Sequence, residues 1–239
     1  MIEAHAKGIS LRFKIRASAI HQIMANGRGT DSMGETCMTY CKNWILEQPE
    51  FFNRRINEFS TKATKKGNAV ERDALDFIGL HLYNGAFLDP NKEFFSNNFM
   101  TGTPDTIMDD HIIDNKSSWS VASFPYFDNA PDKACWWQGQ GYMHLVGRTR
   151  YRLIYTLMNT PDALIMAAAR KNAYDLGYTE PTDEMLNEFG QKMTYDNVDP
   201  KLRIRIFEFD YDKEACEKIE ARVELCRQFI YNTLLLMEV

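Results

Sequence analysis

Two carboxylates and an ammonium fall close together between Gly102-Thr103-Pro104-Asp105 and Ile112-Ile113-Asp114-Asn115-Lys116. A two-residue turn at Asp109-Asp110 closes a hairpin in which Met108 faces His111, Ile107 faces Ile112, Thr106 faces Ile113 and Asp105 lands opposite Asp114. Side chains alternate along a strand, so Lys116 shares the face of Asp114 while Ile113 and Asn115 point the other way. Opposed like charges on a ladder are unfavourable, and the pairing makes physical sense when a divalent cation sits between the acids. Such a cation lowers the pKa of bound water and neutralises phosphoryl oxygens, and a neighbouring ammonium can hold the water and offset developing charge. The chemistry this spacing suits is phosphodiester hydrolysis. Asp-Asp is a poorer turn than Asn-Gly or Asp-Gly, and a slip of one residue would send one set of side chains to the wrong face. The competing reading of these residues is a surface hairpin with ordinary solvated charges.

Other elements must position that hairpin. Lys62 to Leu82 predicts a long helix with Val70, Ala74, Phe77 and Ile78 as its buried stripe. Glu71 is anomalous there, because Ala74, Leu75 and Ile78 follow it at i+3, i+4 and i+7 and place its carboxylate at the edge of the apolar face. A carboxylate so placed needs a cation or a donor; a structural ion pair and a metal site both satisfy it. Upstream, Lys62, Lys65 and Lys66 read as a solvated helix start, with DNA-backbone contact as the alternative. Gln138 and Tyr142 share one face of a helix containing Gly139 and Gly141, glycines that cost about 1 kcal/mol each relative to alanine. Close backbone approach accounts for them, and tight packing on a sheet is its simplest form. Trp136 and Trp137 read as core in preference to base-stacking platforms.

Arg12, Lys14 and Arg16 recur at period two and run into Ala17-Ser18-Ala19-Ile20, where a helix can start with Ser18 as its cap. A helix start among cations suits a phosphate, although a solvated strand edge with an ordinary cap fits as well. Gly34 to Gln48 reads as an amphipathic helix ended by Pro49, with Cys37 and Cys41 as core filler. Phe94 to Met100 reads as a strand. A loop follows Lys116 through Ser117, Ser118, Trp119, Pro125, Asn129, Pro131 and Asp132, placed to border a substrate. Tyr151 to Met158 is a strand with Arg148, Arg150 and Arg152 along its start, lining a DNA groove or simply solvated. Beyond Pro161 come a helix through Ala173, a polar, helical or irregular stretch to Asp199, an alternating strand from Leu202 to Phe209 and a long helix from Asp212 to Met237 with Cys216 and Cys226 on its buried side.

The chain of 239 residues, 44% hydrophobic and 13% aromatic, can bury a large core. With no repeats and no obvious linker, residues 1–239 are expected to form a single globular, soluble domain. No apolar run approaches the roughly 20 residues that span a bilayer, and Glu3, His5 and Lys7 interrupt any secretory core, so an intracellular protein with no membrane partner is expected. A net charge of −5 argues against wholesale coating of nucleic acid and permits a local basic groove. Neither Cys37/Cys41 nor Cys216/Cys226 has zinc-site spacing, so the five cysteines are expected to be reduced thiols.

In order along the chain, the Ala-Ser helix start at Ser18, Gly67-Asn68-Ala69-Val70-Glu71, Pro104-Asp105, Asp114-Asn115-Lys116 and Gln138-Gly139-Gln140-Gly141-Tyr142 resemble the PD-(D/E)XK nuclease superfamily. The Gln-x-x-x-Tyr helix is similar to that of its phage-lambda exonuclease and RecB-type branch. The resemblance covers roughly residues 10 to 160. It implies an α/β fold with a central mixed β-sheet flanked by helices, a restriction-endonuclease-like core. It also implies an Mg2+-dependent deoxyribonuclease, with Mn2+ as a substitute, that digests double-stranded DNA from its ends in phage-type recombination or repair. By similarity, Glu71, Asp105, Asp114 and the Asn115 carbonyl are metal ligands, Lys116 positions the attacking water, and Gln138 and Tyr142 support the site. Arg12, Arg16 and Ser18 stand nearest to the family's 5′-phosphate pocket, although the arginine found shortly after the core lysine in lambda exonuclease has no counterpart in Ser117 to Phe124. The four-cysteine iron–sulfur pattern of some relatives is also absent. Homo-oligomerisation, a single-strand annealing partner and the cytoplasm of a bacterial or phage-infected cell are further implications. A structure-specific endonuclease and a non-catalytic DNA-binding protein retaining the fold are the alternative functions.

Overall fold

The computed structural model describes residues 2–29, 32–56 and 61–237. From the N-terminus the chain forms α1 (Ile2–Leu11), β1 (Ile15–Arg16), a 3₁₀ turn (Ala17–Ala19) running into the short α2 (Ile20–Ile23), and α3 (Glu35–Glu47). The long α4 (Lys62–Leu82) leads to β2 (Phe95–Ser96), β3 (Met100–Gly102), β4 (Thr106–Ile107) and β5 (His111–Ser117). Then follow α5 (Lys133–Val146), β6 (Arg150–Thr156), α6 (Asp162–Asp175), α7 (Asp183–Met193), β7 (Ile204–Asp210) and α8 (Lys213–Leu236).

The principal sheet has the order β4-β5-β6-β7, antiparallel at both edges and parallel between β5 and β6. A smaller sheet, β1-β3-β2, is also mixed. Helices cover both faces of the principal sheet, and the alternation of its strands decides which. Ile112, Tyr151, Leu153 and Phe207 point into the larger core, packed with residues of α1, α2, α3, α5 and α8. Ile113 and Ile154 point the other way, onto Leu75 and Ile78 of α4 and onto Leu88. Burial on both faces fits the four consecutive buried residues, His111 to Asp114, with which β5 begins, the pattern of an interior strand.

Local signals set the helix ends. The Thr61 hydroxyl accepts from the Thr64 amide at 3.1 Å and starts α4. Asp132 accepts from the Ala134 and Cys135 amides at 2.8 and 3.3 Å and starts α5, which ends at Gly147 with φ 72°. The glycines inside α5 are packing devices. A Cβ on Gly139 would stand 2.6 Å from Phe209 and 3.0 Å from Tyr151, and one on Gly141 would stand 2.4 Å from Ile20. α5 therefore lies tight against β6, β7 and α2, which fixes the height at which Gln138 and Tyr142 meet the sheet. Trp137 packs half-buried against the larger core, whereas Trp136 lines a surface cleft.

Several expectations need correction. Phe94 to Met100 is two short strands, not one, because Asn97 turns the chain: its Oδ1 accepts from the Phe99 and Met100 amides, each at 2.8 Å. The strand expected over Tyr151 to Met158 runs from Arg150 to Thr156, and the Leu157 amide still donates to the Arg203 carbonyl at 2.9 Å, where the neighbouring segment passes into the 3₁₀ turn at Pro200–Leu202. Of the segment carrying Arg12, Lys14 and Arg16 only Ile15 and Arg16 pair as a strand, and the preceding residues close α1. The polar stretch before Asp199, for which helical and irregular backbone are both expected, holds the helix α7, capped by Thr182, and so needs no correction. No helix among the described residues is long and apolar enough to cross a membrane.

Candidate active site

The hairpin has the register expected from the sequence. Thr106 pairs with Ile113 and Ile107 with Ile112, and the Met108 amide donates to the His111 carbonyl at 2.8 Å, closing the turn over Asp109-Asp110. Asp105, immediately before β4, is thereby carried beside Asp114, and its Oδ2 accepts from the Asn115 amide at 3.0 Å. Lys116 returns along the same face and donates from Nζ to Asp114 Oδ1 at 2.9 Å. Asp114 is fully buried, and its second oxygen, Oδ2, has no hydrogen-bond partner.

An unpartnered carboxylate oxygen in a low-dielectric site is costly. The surrounding groups show the same stress. Burial, and then the charge of Asp114, push the Asp105 carboxyl well above its ordinary range, with Lys116 opposing them. Behind Asp114, Tyr142 is pushed up to about 12 by burial and then by the Asp114 charge, against a hydrogen bond from Gln138. Both Tyr142 and Gln138 are buried, so they back the acids without facing solvent. Tyr142 also touches the smaller sheet, since a Cβ on Gly102 would stand 2.6 Å from its ring.

A cleft of about 770 Å³ opens on this centre, within the range of small-molecule sites. Asp105, Asn115 and Lys116 line it from the sheet, Lys62, Gly67, Asn68 and Glu71 from α4, and Ser117 to Ser120 from the loop after β5. Lys62 stacks its ammonium 5.0 Å from the Trp119 ring at the rim. The carboxyl oxygens of Glu71, Asp105 and Asp114 do not all come within 4.8 Å of one another, and Glu71 reaches into the cleft from the α4 side as an exposed residue. The centre thus consists of an intimate pair, Asp105 and Asp114, with Lys116 on the second acid and Glu71 across the opening.

The donor set suits a hard divalent cation. It offers carboxylate oxygens, a peptide carbonyl at Asn115 and an orphaned buried oxygen at Asp114; the one thiol on the cleft wall, Cys135, contacts the Tyr155 hydroxyl at 3.7 Å. Asp105, Asp114 and the Asn115 carbonyl would hold such an ion, with Glu71 approaching from α4.

The phosphate residues expected at the N-terminal side are dispersed. Ser18 lies inside the 3₁₀ turn and caps nothing, because the first residue of α2 follows a cap position, Ala19, without any side-chain hydrogen bond. Arg12 is held by Glu50 at 2.7 Å. Arg16 is exposed and lines a separate polar groove with Lys14, Tyr40, Trp44 and Arg54. The turn nevertheless sits close to the acids, since Ala17 abuts both Gly102 and Gly141.

Two other cationic groups differ from expectation. Arg148, Arg150 and Arg152 lie at the start of β6, whose C-terminal end flanks the centre, and all three are occupied. Arg148 donates to the Met108 carbonyl at 2.9 Å, Arg150 reaches Asp110 at 3.4 Å, and Arg152 joins Tyr83 at 3.0 Å and Glu208 at 2.6 Å. Lys66 is fully buried, not solvated: its ammonium donates to the Trp119 carbonyl at 3.1 Å and lies 5.5 Å from the Tyr195 ring. It ties α4 to the loop bordering the cleft. Tyr151 was not marked by the sequence reading. It shares the face of Asp114, its hydroxyl is buried without a partner, and burial followed by the Asp114 charge pushes it well above its ordinary value. Its place two residues before Leu153, on the inward face of the strand that neighbours Asp114, is the signal that could have revealed it.

The mixed sheet and its covering helices form an α/β fold that solved exonuclease structures share. Among solved structures, a phage-related exonuclease from Haemophilus somnus 129PT superposes with a TM-score of 0.76 at 24% identity, over 94% of this chain and 96% of that one. An alkaline exonuclease from Laribacter hongkongensis, LHK-Exo, superposes with a TM-score of 0.61 at 12% identity, over 98% and 95% of the two chains. Its complex with dAMP gives 0.59 at 12% identity. No family model matches the chain, and no curated protein sequence matches it.

Proposed function

We propose that this chain is an Mg2+-dependent exonuclease that hydrolyses phosphodiester bonds at the ends of double-stranded DNA. One observation carries the reading: behind the Asp105, Asn115 and Lys116 wall of the cleft, a fully buried Asp114 keeps one oxygen unpartnered while Asp105 repels it and Lys116 holds the other oxygen. A centre built that way is stabilised by a cation and is poor as a purely structural motif. When bound, the divalent ion supplies an activated water and neutralises charge on the phosphoryl oxygens. Lys116, oriented by Asp114, offers its ammonium to the attacking water and to the developing negative charge. Asp105 and Asp114 fix the position of the ion relative to Lys116. Tyr142 and Gln138 keep Asp114 from swinging toward α5. Likeness to exonuclease structures, one of them crystallised with dAMP, supports a nucleotide product for this cleft.

The cleft has few cations on its walls, consistent with a substrate that is released after each turn. The groove containing Lys14, Arg16 and Arg54 is the cationic surface that supports a 5′-phosphate site, and it favours 5′-to-3′ digestion. The test is to incubate linear and closed-circular duplex DNA with Mg2+ and follow products over time. Mononucleotides from linear DNA with circles left intact are expected. Nicked or linearised circles would identify an endonuclease, and binding without any cleavage would identify a non-catalytic protein.

A further inference from the structure

Far from the carboxylates, α3 and α8 bring three thiols together inside the larger core. Cys37 and Cys41, one helical turn apart on α3, share the face that meets Cys226 of α8, and the three sulfurs lie within 4.8 Å of one another. All three residues are fully buried, and Cys37 and Cys226 approach to 3.6 Å. The sequence reading considered only neighbouring pairs, so it missed a triad whose third member is supplied by the last helix.

Three sulfurs could be mere filler, but Arg222 stands beside them. It is buried, its Nη2 donates to Asn26 Oδ1 at 2.6 Å, and its Nη1 is buried with no partner. A guanidinium left half unpaired against neutral thiols is costly, and an anionic neighbour removes the cost. We propose that Cys37, Cys41 and Cys226 form a site for one thiophilic divalent ion of the zinc class, charge-balanced by Arg222. Three thiolates on a divalent ion carry one net negative charge, which the guanidinium matches. Zinc–sulfur bonds of about 2.3 Å at tetrahedral angles set sulfurs about 3.8 Å apart, close to the Cys37–Cys226 separation. Thiolate softness selects such an ion over magnesium, so the two metal centres of the molecule would not compete.

Hydrogen bonds with Cys226 and Cys41, together with the Arg222 charge, pull the Cys37 thiol down, while contacts with Cys226 and Cys37 push Cys41 up and the contact with Cys37 pushes Cys226 up, so the ion would have to displace the protons of those two thiols. Three protein ligands leave a fourth position of a tetrahedral ion open. Access is available on the Arg222 side, because that residue also lines a surface cleft with Met24, Asn26 and Trp136. Bound there, the ion would staple α3 to α8, joining the two ends of the chain.

Cd2+ alone is a suitable probe, added to fully reduced protein in excess Mg2+ so that the carboxylate centre is occupied. One equivalent should give a sulfur-to-cadmium charge-transfer band in the ultraviolet and raise the melting temperature by about 5 to 10 °C at roughly a hundredfold excess over Kd. Cys41→Ala and Cys226→Ala should abolish both effects, and Cys216→Ser, outside the triad, should retain them. Carboxylate-bound cadmium gives no such band, and in Cys135→Ser/Cys216→Ser only the triad thiols remain, so the band in that variant decides the matter even if a triad variant fails to fold. No band in the wild type, or a band that survives Cys41→Ala and Cys226→Ala, would overturn the site. DNA digestion is a separate readout, so failure here leaves the nuclease reading untouched.

Discussion

The two ends of β5 and β6 carry similar densities of charged and polar groups and treat them in opposite ways. At the start of these strands the charged groups are answered: Tyr83 meets His111 at 2.9 Å, His111 meets Asp110 at 2.6 Å, and Arg152 bridges Tyr83 and Glu208. Further along, Asp105 and Asp114 oppose each other and Asp114 leaves an oxygen unpartnered. A saturated network holds the edge of a sheet, whereas an unsaturated one under a cleft is completed by something that binds.

The largest effect should come from the unsaturated end. Lys116→Ala should lower cleavage by at least about 10²-fold while leaving DNA binding nearly intact, measured by single-turnover digestion and by fluorescence anisotropy. The mirror experiment is Arg152→Ala, which should cost about 1 to 2 kcal/mol of stability in urea unfolding and leave turnover within about twofold. If the arginine variant lost activity as severely as the lysine variant, the two ends would not be distinct.

Titration sharpens the contrast. Because the folded Asp105 carboxyl titrates above its ordinary 3.8, its contribution to metal-free stability is complete below that pH and is lost as pH rises through the folded value. Asp105→Asn should flatten that decline. Lys66 behaves differently. Burial, and then the charge of Arg203, bring its ammonium down from 10.5 to about 8, so between those pH values the unfolded chain binds a proton that the folded chain has released. Stability should therefore rise with pH across that window, by up to about 3 kcal/mol relative to Lys66→Met. A constant difference between the two proteins from pH 7 to pH 10 would show that the lysine is not buried as described.

The smallest effect concerns glycine. Gly139 and Gly141 are filled spaces, but a Cβ on Gly67 would meet nothing within 4 Å, and that residue lines the cleft. Gly67→Ala should stabilise α4 by about 0.5 to 1 kcal/mol and weaken DNA binding a few-fold in an anisotropy titration.

Much of the centre was legible in the sequence because its geometry is local. The alternation of one strand fixes Asp114 and Lys116, a two-residue turn fixes Asp105, and helical periodicity fixes Glu71, Gln138 and Tyr142. The bounds of α4 and the buried side of α8 follow from the same periodicity. What escaped depends on residues distant in the chain. Lys66 looks solvated within its own helix and is covered only when the loop at Trp119 folds over it. Arg12 looks free until Glu50 arrives from beyond α3. The thiol triad needs helices from opposite ends of the chain. Ser18 failed for a local reason, since the backbone winds as a 3₁₀ turn from Ala17 and bypasses the cap.

The claim that the unsaturated end is a cation site is tested most directly by calorimetric titration of Mg2+ into the wild type, Asp114→Asn and Arg152→Ala. The account predicts that binding is lost or weakened at least about tenfold in Asp114→Asn and is unchanged in Arg152→Ala. Equal Mg2+ affinity in the wild type and Asp114→Asn would contradict it.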